Sequence, residues 1–160
     1  MSLPPTAAVL EGNALAIEET LKAPIARVYD AWTLPTEMRV WIGPTEDALI
    51  DLQADLYVGG RILLEYASDK HLRNTVEGRY LEIVAQQSLV FSWCCVVERW
   101  DGTVKRSPES RVSVTFTAVG DYIKVCLVHE AISDAGREAV GQGWALTLTR
   151  MAKYLYEHTA

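Results

Sequence analysis

The last stretch of the chain, Gly141 to His158, reads GQGWALTLTRMAKYLYEH and constrains the fold most. At about 100° per residue, Trp144, Leu148, Met151 and Leu155 fall within roughly 60° of one another on a helix, and Val140 lies near the same line one turn earlier. Arg150, Lys153 and Glu157 lie away from this stripe. The pattern predicts an amphipathic helix of about four turns that lays one face on something apolar. The rest of the chain has to supply that surface. Gly141 and Gly143 are costly inside a helix, so the helix starts near Gln142 or its first turn is held close to another backbone. Ser133 and Asp134 are candidate caps for an earlier start.

Upstream, Ala14 to Lys22 reads as a strand weakened by two acids, and Ala23-Pro24 stops it. Pro24 suits a first helical turn, where its missing N–H costs nothing, and Ile25, Val28, Tyr29 and Trp32 follow at helical spacing. Thr33 to Pro35 breaks that helix, and a second short one runs from Thr36 to Trp41 before Gly43-Pro44. The period then changes to alternation. Ala48 to Leu56 and Arg61 to Ala67 flank the turn signal Val58-Gly59-Gly60, and Thr75 to Val84 alternates less cleanly. Leu89 to Val97 is apolar at both parities, which predicts a central strand covered on both sides or lying in a subunit contact. Val90, Cys94 and Val96 then need a cover: the short helices, a folded-back loop from Trp100 to Ser110, or a second copy of the chain in a homodimer. Val112, Val114 and Phe116 alternate with polar residues, and Gly120-Asp121 turns this strand back into Tyr122 to Glu130.

With 160 residues, 49% of them hydrophobic, the chain fits one domain, 14–160, behind an N-terminal extension, 1–13. The formal charge of −6, with no Lys/Arg cluster, argues against nucleic acid and anionic membrane surfaces as partners. Three cysteines, two of them adjacent at Cys94 and Cys95, form neither a paired framework nor a CxxC set, and reduced thiols in a cytoplasm fit this usage. No basic-then-apolar leader pattern and no uninterrupted apolar run of about 18 residues occurs.

The order of elements, with its landmarks, resembles the START-like (SRPBCC) superfamily with the helix-grip fold, in the branch related to the C-terminal domain of the activator of the ninety-kilodalton heat-shock chaperone's ATPase. The matching residues are Ala23-Pro24 with Val28 to Trp32, Thr33-Leu34-Pro35, Trp41-Ile42-Gly43-Pro44, Gly59-Gly60 and Gly78. They continue with Leu89 to Trp93, His129-Glu130, and Gly143-Trp144 with Leu148 and Met151. The resemblance implies an α+β fold in which a curved antiparallel sheet wraps the long C-terminal helix, with two short helices after the first strand and an apolar cavity between sheet and helix. Many relatives carry paired tryptophans where this chain has Val40-Trp41. Relatives that act as chaperone co-factors also use a separate N-terminal domain, for which this chain has no room.

Nine residues are expected to line that cavity: Trp41, Tyr66, Phe91, Trp93, Val114, His129, Trp144, Leu148 and Met151. Trp32 and Trp93 sit in apolar periodic runs and read most simply as core. His129 shares strand parity with Val125 and Leu127; it is a hydrogen-bonded histidine at a strand end, or a group that touches a ligand or moves a proton. Adjacent Glu130 should face the other way. Glu77 and Arg79 share one face, as an outer polar pair or an inward-facing ligand contact, and the same ambiguity covers Glu65 beside Tyr66. His71, His129 and His158 are isolated, with no metal-ligand spacing, and nucleotide, GxSxG and HExxH signatures are absent, so no cofactor is expected. The expected function is binding of a small hydrophobic or amphipathic molecule. The alternatives are an enzyme that acts on a ring-type substrate in the same cavity and a chaperone-activator-like interaction module.

Overall fold

The computed structural model describes residues 9–11, 14–43, 48–66, 72–132 and 134–159. Strand β1 (Val9–Glu11) pairs with β2 (Ala14–Leu21), so the stretch expected as an extension contributes an edge strand. Helices α1 (Ile25–Thr33) and α2 (Pro35–Trp41) follow, with Pro24 ahead of the first and Pro35 opening the second. Strands β3 (Leu49–Ala54), β4 (Arg61–Tyr66), β5 (Leu72–Val84) and β6 (Ser88–Arg99) form a meander. The loop expected from Trp100 to Ser110 contains a short strand, β7 (Val104–Arg106), folded back on β6. Strands β8 (Ser110–Val119) and β9 (Tyr122–Glu130) make the expected hairpin, and α3 (Asp134–Glu157) ends the chain. Of the two expected helix starts, the earlier is observed; Ser133 and His71 lie outside the described residues.

All pairings are antiparallel, in the order β1-β2-β9-β8-β6-β5-β4-β3, with β7 beside β6. The sheet curves around α3 in a helix-grip fold. Register shifts between Leu49 and Asp51 and between Tyr80 and Glu82 bend the strands locally. Gly78 marks a close approach at the second bend, because a Cβ there would stand 2.0 Å from the Ser92 carbonyl oxygen.

The concave face carries the core. Leu15, Ile17 and Leu21 of β2, Val112, Val114 and Phe116 of β8, and Ile123, Val125 and Leu127 of β9 alternate inward and are buried. The α3 stripe meets them: Trp144, Leu148, Met151 and Leu155 are all buried. The Trp32 indole N–H donates to the Met151 sulfur at 2.9 Å, tying α1 to α3. Two polar clasps hold the short helices in place. Arg27 donates to Glu37, which also accepts from the Tyr154 hydroxyl at 2.8 Å; Arg150 donates to the carbonyls of Gly43 and Val40, each at 2.8 Å. The clasps fix the end of α2 against α3.

Glu65, Glu77 and Arg79 face outward. Arg73 pairs with Glu65 at 2.7 Å and Arg106 with Glu77 at 2.8 Å, while Arg79 donates to the Gly59 carbonyl. Glu18 points out toward Lys124, whereas Glu19, on the Leu15–Ile17–Leu21 parity, is buried with neither carboxyl oxygen hydrogen-bonded within the protein.

Candidate functional site

A cavity of about 350 Å³ lies between the sheet, the end of α2 and the first half of α3. That volume is in the range of small-molecule sites. Strands β4, β5 and β6 form its floor through Ile62, Leu64 and Tyr66, then Asn74, Val76 and Tyr80, then Leu89, Phe91, Trp93 and Cys95. The residues alternate because side chains one apart on a strand point to opposite faces. Val96, Val97 and Thr75 also border it. The roof is Trp32, Met38, Ile42 and Gly43 from the helical pair, with Val140, Gly143, Trp144 and Thr147 from α3.

Four of the nine expected residues, Tyr66, Phe91, Trp93 and Trp144, line this cavity. The other five do not. Trp41 is buried with its indole N–H donating to the Ala31 carbonyl at 2.9 Å, while Trp32, in the core as expected, also borders the cavity. Val114, Leu148 and Met151 are packed fully between β8 and α3, further along the helix than the open space reaches.

His129 stands behind the lining and organises it. It is 1% exposed; the Trp144 indole N–H donates to its Nδ1 at 3.1 Å, and its Nε2 lies 2.8 Å from the Ser110 hydroxyl. The hydroxyl in turn donates to the Trp93 carbonyl at 3.0 Å. Because Nδ1 accepts, the proton sits on Nε2, and every polar atom of the imidazole is occupied. Burial pushes its pKa down to about 4, so the ring is neutral and has no lone pair to offer a substrate. Its chemistry is spent on holding Trp93 and Trp144, whose rings lie 5.2 Å apart at a tilt of 49°.

The polar atoms that reach the cavity are neutral groups. Burial, then the neighbouring Cys95, pushes the Tyr66 phenol well above its ordinary range. The Cys95 thiol is also raised, chiefly by burial, against an opposing hydrogen bond with Trp93, with smaller effects from Cys94, which raises it, and Ser107, which lowers it. Both stay protonated near neutral pH, so Cys95 is no ready nucleophile. Cys94 and Cys95 are free thiols. The Thr147 hydroxyl is turned away onto the Gly143 carbonyl at 2.7 Å. Among the described residues, no group of three or more His, Cys, Asp or Glu side chains converges on a metal position.

Gly143, whose place in a helix the sequence explains by a late helix start or a close backbone approach, follows neither explanation. It lies mid-helix against the cavity, and a Cβ placed there would meet no atom within 4 Å. The residue that a helix tolerates at a cost of about 1 kcal/mol thus leaves open space on the cavity side. Asn74 and the inward face of β5 were also missed, since β5 carries polar residues at both parities and only its register with β4 and β6 decides which row looks in.

Solved structures share this architecture. A protein of Chromobacterium violaceum aligns with a TM-score of 0.71 at 23% identity, over 89% of this chain and 96% of its own. CalU16 from Micromonospora echinospora gives 0.64 at 22%, over 89% and 75% respectively. DynU16, a protein of the dynemicin biosynthetic locus, gives 0.73 at 17%; 93% of this chain covers 49% of that longer one. Among curated proteins, no sequence matches. No helix among the described residues is long and apolar enough to cross a membrane. The family model described as activator of Hsp90 ATPase homolog 1-like protein matches residues 22–156, the span that carries every residue lining the cavity, and the chain belongs to that family.

Proposed function

We propose that the protein binds an apolar or amphipathic small molecule in the cavity between its sheet and α3. The observation that carries this is the cavity itself: about 350 Å³ walled by Trp32, Phe91, Trp93 and Trp144, with the Cβ position of Gly143 open beside it. Aromatic walls with few polar groups favour a flat or apolar ligand. Members of this fold family often bind hydrophobic ligands, which supports the same reading. Acid–base catalysis by His129 is disfavoured because both ring nitrogens are already hydrogen-bonded and the imidazole is neutral.

The test is tryptophan fluorescence titrated with a panel of lipids, aromatic polyketides and steroids. Saturable quenching is expected, lost in Trp144→Ala and blocked in Gly143→Phe, whose ring would occupy the open space. A flat response across the panel, or quenching unchanged in Gly143→Phe, would overturn the reading.

A further inference from the structure

The floor of the cavity changes character along a single strand. Asn74, Val76 and Tyr80 face inward on β5; at Gly78, between the last two, the Ser92 carbonyl takes the place a side chain would need. At a rise of about 3.3 Å per residue, Asn74 and Tyr80 are separated by roughly 20 Å. The neighbours sort the same way. Asn74 stands directly opposite Tyr66 of β4, and Cys95 of β6 stands opposite Val76, close enough to Tyr66 to influence its titration. At the far end, Tyr80 stands opposite Phe91, with the two ring centroids 6.3 Å apart. Burial first, then Tyr29 and Asp55, which do not line the cavity, push the Tyr80 phenol up to about 12. One end of the floor therefore presents an amide, a phenol and a thiol, and the other presents rings and aliphatic carbon.

Resting on the cavity-binding reading above, we propose that the site selects an uncharged ligand. Its ring portion lies among Trp93, Trp144 and Phe91, and its single polar end, a carbonyl, hydroxyl or amide, lies against Tyr66 and Asn74. A neutral polar group can exchange hydrogen bonds with a phenol and an amide, whereas a buried carboxylate needs a countercharge to offset its lost hydration. Among the described residues, no Lys or Arg lines the cavity; Arg150, beside Gly43, donates to the Gly43 and Val40 carbonyls. Ligand charge is therefore penalised, while ligand polarity is rewarded at one end only.

Three probes of one skeleton decide this: 2-acetylnaphthalene, 2-naphthoate and 2-ethylnaphthalene, titrated calorimetrically at pH 7.5 into the wild-type chain. The ketone should bind at least about tenfold tighter than the nearly isosteric carboxylate, the gap expected when one partner must bury an unpaired charge. In Tyr66→Phe/Asn74→Leu, checked for folding by circular dichroism, the ketone should weaken about fivefold to tenfold while the ethyl compound is unchanged. Binding of 2-naphthoate as tight as the ketone would overturn charge selection, and its loss in Arg150→Met would identify the compensating cation. An unchanged ketone affinity in the double variant would overturn the placement of the polar end and leave cavity binding standing. Failure of all three probes, together with no quenching by any compound in the broader panel, would remove the cavity reading and this inference with it.

Discussion

At the scale of single residues, two side-chain choices look unfavourable for stability, and each has a measurable signature. Gly143 stands mid-helix beside open space, so Gly143→Ala should raise stability by about 0.5–1 kcal/mol in denaturant unfolding, the usual helix-propensity gain. The added methyl also enters the cavity edge, so the same variant should bind a bulky probe more weakly. Glu19 is the second: 1% exposed, without a hydrogen-bond partner in the protein, and pushed up to about 7 by burial. A carboxyl with a raised folded-state pKa contributes its full stability below the unfolded value of about 4.5, and this is lost as pH rises toward 7. His129 runs the other way: its pKa is depressed to about 4, so its contribution is complete above about 6.5 and is lost as pH falls toward 4. Between about pH 4.5 and 6.5 the two slopes oppose each other. Glu19→Met should therefore be more stable than the wild type by roughly 1–3 kcal/mol at pH 8, with the difference vanishing near pH 4.5. Its stability should also rise with pH across the window in which the wild-type curve is nearly flat. Urea melts at half-unit pH intervals would show it, and parallel curves for the two proteins would mean that Glu19 does not titrate with folding.

At the scale of elements, α3 has two chemically distinct faces. Met151 is 0% exposed with the Trp32 N–H on its sulfur, whereas the Lys153 side chain is 71% exposed beside Glu157 at 3.9 Å. Met151→Asp should cost more than about 4 kcal/mol or abolish folding, because it buries a carboxylate with no countercharge and removes the packing of the longer side chain. Lys153→Asp should cost less than about 0.5 kcal/mol, the like-charge contact with Glu157 included. Equal thermal shifts would show the helix face to be assigned wrongly. This face was legible in the sequence because a helical stripe over four turns repeats often enough to be unambiguous, and the alternation of Val112, Val114 and Phe116 was legible for the same reason. The three-residue strands Val9–Glu11 and Val104–Arg106 carry no period to read; they exist because an open strand edge lies within reach. For Tyr66 and Glu65 the pattern permits both faces, and only pairing with β5 and the ion pair to Arg73 decides between them. Glu19 was readable by parity with Leu15, Ile17 and Leu21, yet its charge argued for the surface. Trp32 is in the core, as expected, and also borders the cavity, whereas Trp41 does not reach it, because two adjacent short helices can present either indole inward; the two rings pack at 4.7 Å between centroids.

At the scale of the whole molecule, the question is what covers the outer face of β6. The chain itself covers most of it. Val90 lies in the ladder between Glu82 and Ser113, and Val96 between Thr75 and Arg106; both valines are buried in the single chain. The folded-back segment completes the cover, since Ser107 accepts from the Cys95 N–H through its hydroxyl, and its own N–H donates to the Cys95 carbonyl, each at 2.9 Å. A homodimer would need another surface. Trp100, 86% exposed at the β6–β7 turn with exposed Val104 nearby, is the largest apolar side chain open to a partner. Val96→Lys should therefore act on folding and not on assembly. Burying an ammonium at a position 7% exposed should lower the Tm by roughly 6–12 °C at unchanged sedimenting mass, on the scale of about 3 kcal/mol for a chain of this size. Trp100→Ala should leave the melting temperature within about 2 °C, because its ring packs on little. Sedimentation at micromolar concentration, paired with thermal melts, separates the possibilities. A wild-type dimer that becomes a folded monomer in Val96→Lys would return the interface to β6, whereas one dissociated by Trp100→Ala alone would place it at the hairpin tip.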